Sequence, residues 1–299
     1  MPELPDITVY AEALDARIAG HRLIRALVRS PFLMRTAVPP LSAAHDSVVH
    51  EVRRLGKRIA IGLERDLWLV LHLMIGGRLH WHTSAPKAKG RNLLAIFEFD
   101  SGWLSLTEAG TQHRAALHLV REQAALNAFG AGGLEPLEAT LDAFASALRS
   151  ENHTLKRALT DPHIFSGIGN AYSDEILHRA ELSPIAMTRK LTDSEVGRLH
   201  AATRATLAEW IDRLRAESAG EFPEKVTAFR PEMAVHGRYG LPCPRCGAKV
   251  QRIRHASNET NYCARCQTQG RLLADRALSR LLHEDWPRTL EELETRTRS

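Results

Sequence analysis

Four cysteines form the clearest chemical pattern in the sequence. They are all the cysteines of the 299-residue chain, and they stand as two Cys-x-x-Cys pairs, Cys243/Cys246 and Cys263/Cys266. Two such pairs separated by residues 247–262 match the ligand spacing of a tetrahedral four-thiolate zinc site. Because four protein ligands leave no open coordination position, we expect one structural Zn²⁺ that holds a β-hairpin together. A pair of thioredoxin-like redox motifs is the alternative.

A glycine-containing turn supplies a second candidate site. Gly167-Ile-Gly-Asn170 stands directly before the segment 171–177, which has the apolar spacing of a helix. Backbone N–H groups at the start of a helix bind anions well, and glycine permits the backbone angles that this requires. Lys156, in a preceding predicted helix, would add a positive charge. The pattern fits a phosphate-binding turn and an ordinary connection between helices equally well.

Positive charge is concentrated around the cysteines. The whole chain has a formal net charge of +5, and residues 225–271 contain nine Lys and Arg against two acidic residues. A local excess of this kind is better evidence of a nucleic-acid surface than the total charge. In the predicted hairpin, Arg252 and Arg254 are placed to reach phosphates.

Composition and the start of the chain exclude several classes of protein. Apolar residues make up 44% of the chain and charged residues 25%, which is typical of a folded protein. The start, MPELPD, lacks the basic and apolar regions of a signal peptide, and no apolar segment reaches the ~18 residues of a membrane span. We therefore expect a cytoplasmic protein, nucleoid-associated if it is bacterial, with no membrane partner.

The elements that must position these residues change in type along the chain. Residues 6–19 have helical spacing, and the region from about 22 to 120 alternates short apolar segments with turns. Residues 137–217 are rich in helix-forming residues and follow a glycine-rich stretch, 129–133, that we predict to be a hinge. The predicted strands are 57–63, 67–73, 78–81, 93–99 and 103–106.

Five motifs occur in a fixed order along the chain, and together they indicate a family. The motifs are MPELPD at the start, Leu55-Gly-Lys57 before a strand, Leu155-Lys156, the stretch Gly167–Leu177, and the four-cysteine hairpin. Over about residues 2–267 the chain closely resembles the formamidopyrimidine-DNA glycosylase and endonuclease VIII family. Its PELP start is similar to the formamidopyrimidine branch.

The resemblance implies a fold class and a division of the chain. It implies a multidomain α+β protein in which a β-sandwich with an N-terminal helix, a helix–two-turns–helix domain and a zinc β-hairpin follow one another. Leucines between 272 and 282 predict a further short helix before Pro287. The expected segments are a catalytic β-sandwich domain at 2–125, a helical DNA-binding domain at 133–224, a zinc hairpin at 225–270 and a helical tail at 271–299.

The resemblance also implies an activity and the residues that carry it. The activity is that of a monomeric DNA glycosylase and AP lyase of base excision repair, which removes oxidised bases from damaged double-stranded DNA. Pro2, exposed by removal of Met1, would be the Schiff-base nucleophile, with Glu3 as its acid/base partner. Lys57 would bind a phosphate and assist β-elimination, and Lys156 and Asn170 would bind the phosphates that flank the flipped nucleotide.

One departure from the family concerns the strand break. Relatives carry an arginine at the tip of the zinc hairpin, where this chain has Asn258. Asparagine has no positive charge and cannot hold a phosphate as arginine does. Arg252 and Arg254 are the candidates for replacing it. We therefore expect β-elimination, whereas δ-elimination is doubtful.

Further departures concern lesion recognition. Relatives fill the gap left by the flipped base with a methionine, where this chain has Ile75, with Met74 beside it. Relatives also fill this gap with an Arg-Phe pair from a later loop, and this second wedge has no counterpart in residues 107–114. Position 6 is Asp where relatives often have Glu, which changes the reach of a carboxylate. These differences leave the preferred lesion and the opposite base open.

Two other functions remain as alternatives. A non-catalytic protein that binds damaged DNA on the same scaffold would explain the missing hairpin arginine, but it would have no use for Pro2, Glu3 and Lys57. An RNA-binding protein would use the helical turn but leave the β-rich half without a purpose. Turnover on damaged DNA separates the first alternative from an enzyme, and competition between damaged DNA and structured RNA tests the second.

Overall fold

Two compact units make up the protein, which we describe from a computed structural model. One unit combines Met1–Ala131 with Glu209–Ala228, and the other combines Gly132–Ala208 with Phe229–Ser299. The structure describes residues 1–298 apart from 88–89, 91, 111, 225, 227–229, 256–257 and 274–286. Among these residues, no helix combines the length and the apolar composition that crossing a membrane requires.

The first unit is an antiparallel sheet with a helix at the N-terminus. Helix α1 spans Leu4–Ile18 and the short helix α2 spans Gln123–Asn127. The strands are β1 Arg22–Val28, β2 Ser47–Leu55, β3 Arg58–Leu63, β4 Leu67–His72, β5 Gly77–His82, β6 Leu93–Phe99, β7 Gly102–Glu108 and β8 Ala116–Arg121. Their order in the sheet is β5-β7-β6-β1-β2-β3-β4-β8.

Both halves of this sheet bury side chains in one shared core. Ile59 and Ile61 of β3 lie in the same cluster as Phe97 of β6 and Leu104 of β7, and all four are fully buried. Helix α1 adds an apolar face that includes Leu14. Side chains alternate between the two faces of a strand, so this core takes every second residue. The fold class predicted from the sequence, a β-sandwich with an N-terminal helix, is confirmed.

The opposite face of β3 and β4 is also covered. Ala60, Trp68 and Val70 form a second apolar cluster with Leu126 of α2. A strand that is buried on both faces needs a nearly continuous apolar sequence, because neither set of alternate side chains meets water. This accounts for the uninterrupted apolar sequence of residues 67–71 in β4.

Helix α1 begins earlier than predicted. The sequence placed it at 6–19, but it spans Leu4–Ile18, so Pro5 lies inside its first turn. The first N–H groups of a helix have no partner within the helix, so a proline there costs no hydrogen bond. The helix therefore starts immediately after Glu3, which places Pro2 and Glu3 at its N-terminus.

The second unit is mainly helical and ends in a small hairpin. Residues 209–218 of helix α6 are grouped with the first unit. The elements are α3 Leu141–Ser150, α4 Leu155–Thr160, α5 Asn170–Ala180, α6 Asp193–Ser218, β9 Gln251–Arg254, β10 Glu259–Tyr262, α7 Ala264–Thr268 and α8 Leu290–Arg298. Most of the tail helix predicted from the leucines falls in 274–286, outside the described residues.

The glycine-rich stretch between the units contains one tightly packed position. The boundary between the units falls after Ala131. A Cβ on Gly133 would lie 2.3 Å from the carbonyl oxygen of Pro162, and the neighbouring Leu134 forms a β-bridge with Phe165. Gly133 is therefore required by a close approach of two backbones. The hinge and the four predicted segments remain predictions.

Candidate functional site

The N-terminal residues are buried and fixed by backbone hydrogen bonds. Pro2 is buried, and Glu3 is only 2% exposed. The Glu3 N–H donates to Oδ2 of Asp6 at 2.8 Å, and the Ile7 N–H donates to the Glu3 carbonyl at 2.9 Å. Asp6, the position where relatives often have Glu, thus caps helix α1. These bonds hold the start of the chain in one place.

Four charged side chains act on the N-terminal amine. Burial lowers the pKa of the Met1 amino group, and the charges of Arg78 and Lys57 lower it further. The charges of Glu3 and Asp6 have the opposite effect but do not cancel the shift. More of such an amine is neutral at pH 7 than in an ordinary α-amino group, and only the neutral form is a nucleophile.

Lys57 and His72 lie in the same region of the first unit. Lys57 follows Gly56 in the turn between β2 and β3, where Gly56 has a φ of 61°. Arg58 pairs with His72 across β3 and β4. Burial, and then the charges of Arg58 and Lys57, lower the pKa of His72 to about 4. His72 is therefore a neutral imidazole at pH 7, able to donate one hydrogen bond and accept one.

The turn between β4 and β5 presents one apolar side chain to solvent. Met74 adopts a φ of 52° and Ile75 is 62% exposed. Arg78 donates hydrogen bonds to the carbonyl oxygens of Gly77 at 2.7 Å and Ile75 at 3.2 Å. A Cβ on Gly77 would lie 2.4 Å from the Leu73 carbonyl oxygen, so the turn is tight. Of the two predicted wedge residues, Ile75 is the more exposed.

The structure brings the predicted phosphate-binding residues of the second unit together. Lys156 Nζ lies 2.6 Å from the carbonyl oxygen of Asn170 and 2.6 Å from Oδ1 of Asp174. The Asn170 side chain donates to the Glu259 carbonyl at 3.0 Å. Asn170 is the first residue of α5, so the helix begins one residue earlier than the predicted segment 171–177. The Lys156 charge is partly neutralised by Asp174, which is fully buried.

Two buried acids of α5, which the sequence analysis missed, bind neighbouring segments. Asp174 Oδ2 lies 2.8 Å from His236 Nδ1 and accepts the Asn261 N–H at 3.2 Å. Glu175 accepts the N–H groups of residues 234–236, at 2.7 to 2.9 Å. Burial raises the pKa of Glu175, although the three N–H donors act to lower it. The acids hold the loop before the first cysteine pair.

The four cysteines fit one structural zinc ion. Their Sγ atoms all lie within 4.8 Å of one another, with Cys243 and Cys266 4.0 Å apart and Cys246 and Cys263 3.4 Å apart. Zinc–sulfur bonds of ~2.3 Å in a tetrahedron place the sulfurs about 3.8 Å apart. Strands β9 and β10 form an antiparallel hairpin between the two cysteine pairs.

The two arginines of the hairpin that are predicted to contact DNA differ in their contacts and exposure. Arg252 pairs with Glu259 at 3.2 Å and lies over the Tyr239 ring, 4.0 Å from its centre. Arg254 is exposed, as is Asn258 at the tip, whose carbonyl oxygen accepts the His255 N–H. Of the two arginines, Arg254 is therefore the more accessible to a ligand.

Comparison with known proteins places this chain in a family. It is 32% identical over 278 residues to the formamidopyrimidine-DNA glycosylase of Heliobacterium modesticaldum, a match that covers 89% of this chain and 100% of the relative. The chain belongs to the formamidopyrimidine-DNA glycosylase family. The enzyme of the same name from Thermus thermophilus is 34% identical over 281 residues, covering 90% of this chain and 100% of that one.

Family models and solved structures agree with this assignment. The N-terminal domain model of formamidopyrimidine-DNA glycosylase matches residues 1–114, its H2TH domain matches 133–219, and the zinc finger found in FPG and IleRS matches 240–269. The Lactococcus lactis enzyme in complex with Fapy-dG-containing DNA is similar, with a TM-score of 0.78, 26% identity, and coverage of 89% of this chain and 100% of that one. A further structure of that enzyme contains abasic DNA. The predicted family, helix–two-turns–helix motif and zinc site are confirmed.

Proposed function

We propose that the protein is a DNA glycosylase and AP lyase of base excision repair that acts on damaged double-stranded DNA. Membership of a family of DNA glycosylases supports the first activity. The complexes of the L. lactis relative with Fapy-dG and abasic DNA support the substrate class. The observation that carries the lyase activity is the buried start of the chain, where Pro2 precedes the buried Glu3 and the charges of Glu3 and Lys57 reach the adjoining Met1 amine.

The proposed chemistry begins with the amine of Pro2 once Met1 has been removed. The nitrogen lone pair forms a bond to the sugar C1′, the bond from C1′ to the base breaks, and the base leaves with a proton. The nitrogen then loses its proton, and the sugar ring opens as O4′ takes up a proton, which leaves an iminium ion between the proline nitrogen and C1′. Removal of a C2′ proton then expels the 3′ phosphate and breaks the strand by β-elimination.

The neighbouring residues have distinct roles in this scheme. Glu3, held beside the amine by the start of α1, transfers the protons that these steps require. The charges of Lys57 and Arg78 lower the pKa of the Met1 amine, and we expect them to favour the neutral Pro2 amine in the same way and to attract the phosphates that flank the sugar. Because C1′ is hidden inside a duplex, the nucleotide must be flipped out before attack.

DNA binding is proposed to use residues of both units. Asn170, the first residue of α5, and Lys156 of α4 bind backbone phosphates, as does the exposed Arg254 of the hairpin. Ile75 enters the gap left by the flipped nucleotide, because it is an exposed apolar side chain on a tight turn.

Borohydride trapping tests this proposal. The mature protein, with Met1 removal verified by mass spectrometry, is incubated with abasic duplex DNA and borohydride. We expect a covalent adduct on the N-terminal peptide, and its loss in Pro2→Gly. The matched control Pro31→Gly retains trapping. An adduct that forms equally well with Pro2→Gly rules out the proline mechanism. Tight binding without any adduct or base release on a panel of lesions supports the non-catalytic alternative instead.

The ends of the cleaved strand test the role of the hairpin tip. We expect the wild-type protein to leave mainly β-elimination ends, because Asn258 has no charge to hold the second phosphate. Asn258→Arg should raise the fraction of δ-elimination ends several-fold, whereas Asn258→Ala should leave it unchanged. Denaturing gels on an abasic duplex separate the two products. Complete δ-elimination by the wild-type protein contradicts this prediction.

A further inference from the structure

One face of helix α5 is bonded to the zinc-bearing segment along most of its length. Asn170, Asp174 and His178 are spaced four residues apart, so they lie on the same side of the helix. Asn170 donates to the Glu259 carbonyl at 3.0 Å, and Asp174 accepts the Asn261 N–H at 3.2 Å. The third contact differs in kind, because its partner is a zinc-ligating cysteine.

His178 contacts that cysteine directly. Its Nε2 lies 3.2 Å from Cys243 Sγ, and the two residues are only 4% and 2% exposed. A cysteine that ligates zinc is a thiolate, which can accept a hydrogen bond but cannot donate one. In the zinc-loaded protein the hydrogen of this contact must therefore be on His178 Nε2.

An N–H donor beside Cys243 would offset part of the negative charge of the zinc site. Four thiolates and one Zn²⁺ carry a net charge of −2, and Cys243 and Cys263 are buried. Uncompensated charge in a buried place is unfavourable, and an N–H group directed at the sulfur compensates part of it. The backbone N–H of Ala248 serves Cys246 in the same way, from within the cysteine segment. The donor to Cys243 comes instead from the helix that carries Asn170.

We propose that His178 is a positioning residue of the zinc site, whose Nε2–H donates a hydrogen bond to the Cys243 thiolate. The bond slows the loss of zinc, and it attaches the metal site to the helix whose first residue is Asn170. Partners that orient a metal ligand typically change metal affinity by ~10–100-fold. We expect an effect of that size here.

Zinc release from the full-length protein tests the proposal. The rate of transfer to a chromophoric chelator is measured for wild type, His178→Phe and His178→Gln. Phenylalanine fills the space without a donor, whereas the Gln side-chain amide restores an N–H near the Nε2 position. We expect release to be ~10–100-fold faster in His178→Phe and close to wild type in His178→Gln. Equal rates in all three proteins overturn the proposal.

A matched control separates this bond from general packing. His200 lies in the same unit and its Nε2 contacts the Ala139 carbonyl oxygen, 2.9 Å away. His200→Phe should release zinc at the wild-type rate. A His200→Phe protein that loses zinc as fast as His178→Phe shows that the effect is one of packing, and the proposal fails.

A measurement on the unmutated protein covers the case in which His178→Phe does not fold. In ¹⁵N-histidine-labelled, zinc-loaded protein, long-range ¹H–¹⁵N correlation spectra distinguish the two neutral tautomers of each imidazole. We expect His178 to carry its proton on Nε2. A proton on Nδ1 leaves no donor for Cys243, and it overturns the proposal without any substitution.

Discussion

In the proposed chemistry Glu3 transfers protons, and the fold fixes its backbone while burying its side chain. Its N–H is bound by Asp6, and the residue is 2% exposed at the start of α1. A carboxylate next to an amine in a buried site can exchange protons with it directly. The proposed chemistry depends on this neighbour as much as on Pro2 itself.

Replacement of Glu3 by glutamine should therefore slow base removal. Glutamine has nearly the same shape but cannot accept and return a proton, so we expect base release to fall by ~10²–10⁴-fold. Glu12→Gln is the matched control on the same helix. Glu12 is partly exposed and pairs with Arg215, so it should leave activity unchanged. Single-turnover release from a lesion-containing duplex is the measurement. A Glu3→Gln protein with wild-type rates contradicts the assignment.

The low pKa of His72 predicts how the free energy of unfolding depends on pH. Its pKa is about 4 in the folded protein and ~6.5 in an unfolded chain. Between these values the unfolded chain binds more protons, so the free energy of unfolding falls as the pH drops from ~6.5 towards ~4. The contribution is fully present above pH ~6.5. Urea unfolding at pH 7 and pH 5 should show a smaller loss in His72→Gln. An equal loss in both proteins contradicts this view of His72.

Among the elements, the close approach at Gly133 and the open surface at Gly197 offer a matched pair of substitutions. A Cβ on Gly133 meets the Pro162 carbonyl oxygen, whereas a Cβ on Gly197 of α6 meets no atom within 4 Å. Gly133→Ala should lower the free energy of unfolding by about 1–3 kcal/mol. Gly197→Ala should raise it by up to ~1 kcal/mol, because alanine favours a helix. Urea unfolding of zinc-loaded protein measures both. Equal stabilities contradict the steric explanation.

The elements also show what the sequence could predict. Strands β3 and β4 have a strong apolar signal because both of their faces are buried. Strand β2 was not predicted individually, because the charged residues Glu51, Arg53 and Arg54 interrupt its apolar pattern. The start of α1 was placed two residues too late, because the predicted helix began after Pro5, whereas Pro5 lies in the first turn of the helix.

At the scale of the whole molecule, local motifs were predictable and distant contacts were not. The zinc ligands and the turn before Asn170 are short motifs with fixed spacing, so the sequence alone identified them. Arg78 was missed because its place near the amine depends on how the first unit folds. Likewise, no local pattern pairs Asp174 with His236, which follows it by 62 residues.

Zinc removal should affect the two units differently. The apolar cluster beside the metal is small and includes two of the ligands, so the hairpin depends on zinc for its stability. Its buried members are Val235, Cys243, Ala248, Val250, Cys263 and Leu290. After chelation we expect amide hydrogens of β9 and β10 to lose protection from exchange, whereas those of β3 and β4 keep it. Hydrogen exchange with mass spectrometry measures both. A protected hairpin without zinc contradicts the prediction.

Because the fold buries Pro2, we expect Met1 to be removed before the N-terminal sheet has folded. An aminopeptidase needs the first residues in an extended, accessible form, whereas the fold buries Pro2 and begins a helix at Leu4. The sheet is complete only after Arg121 has been made, which takes the ribosome roughly 6–24 s at ~5–20 residues per second. Met1 must be removed within about that time for a Pro2 amine to form. We expect a chain that folds first to keep its methionine and therefore to lack the proposed Pro2 nucleophile.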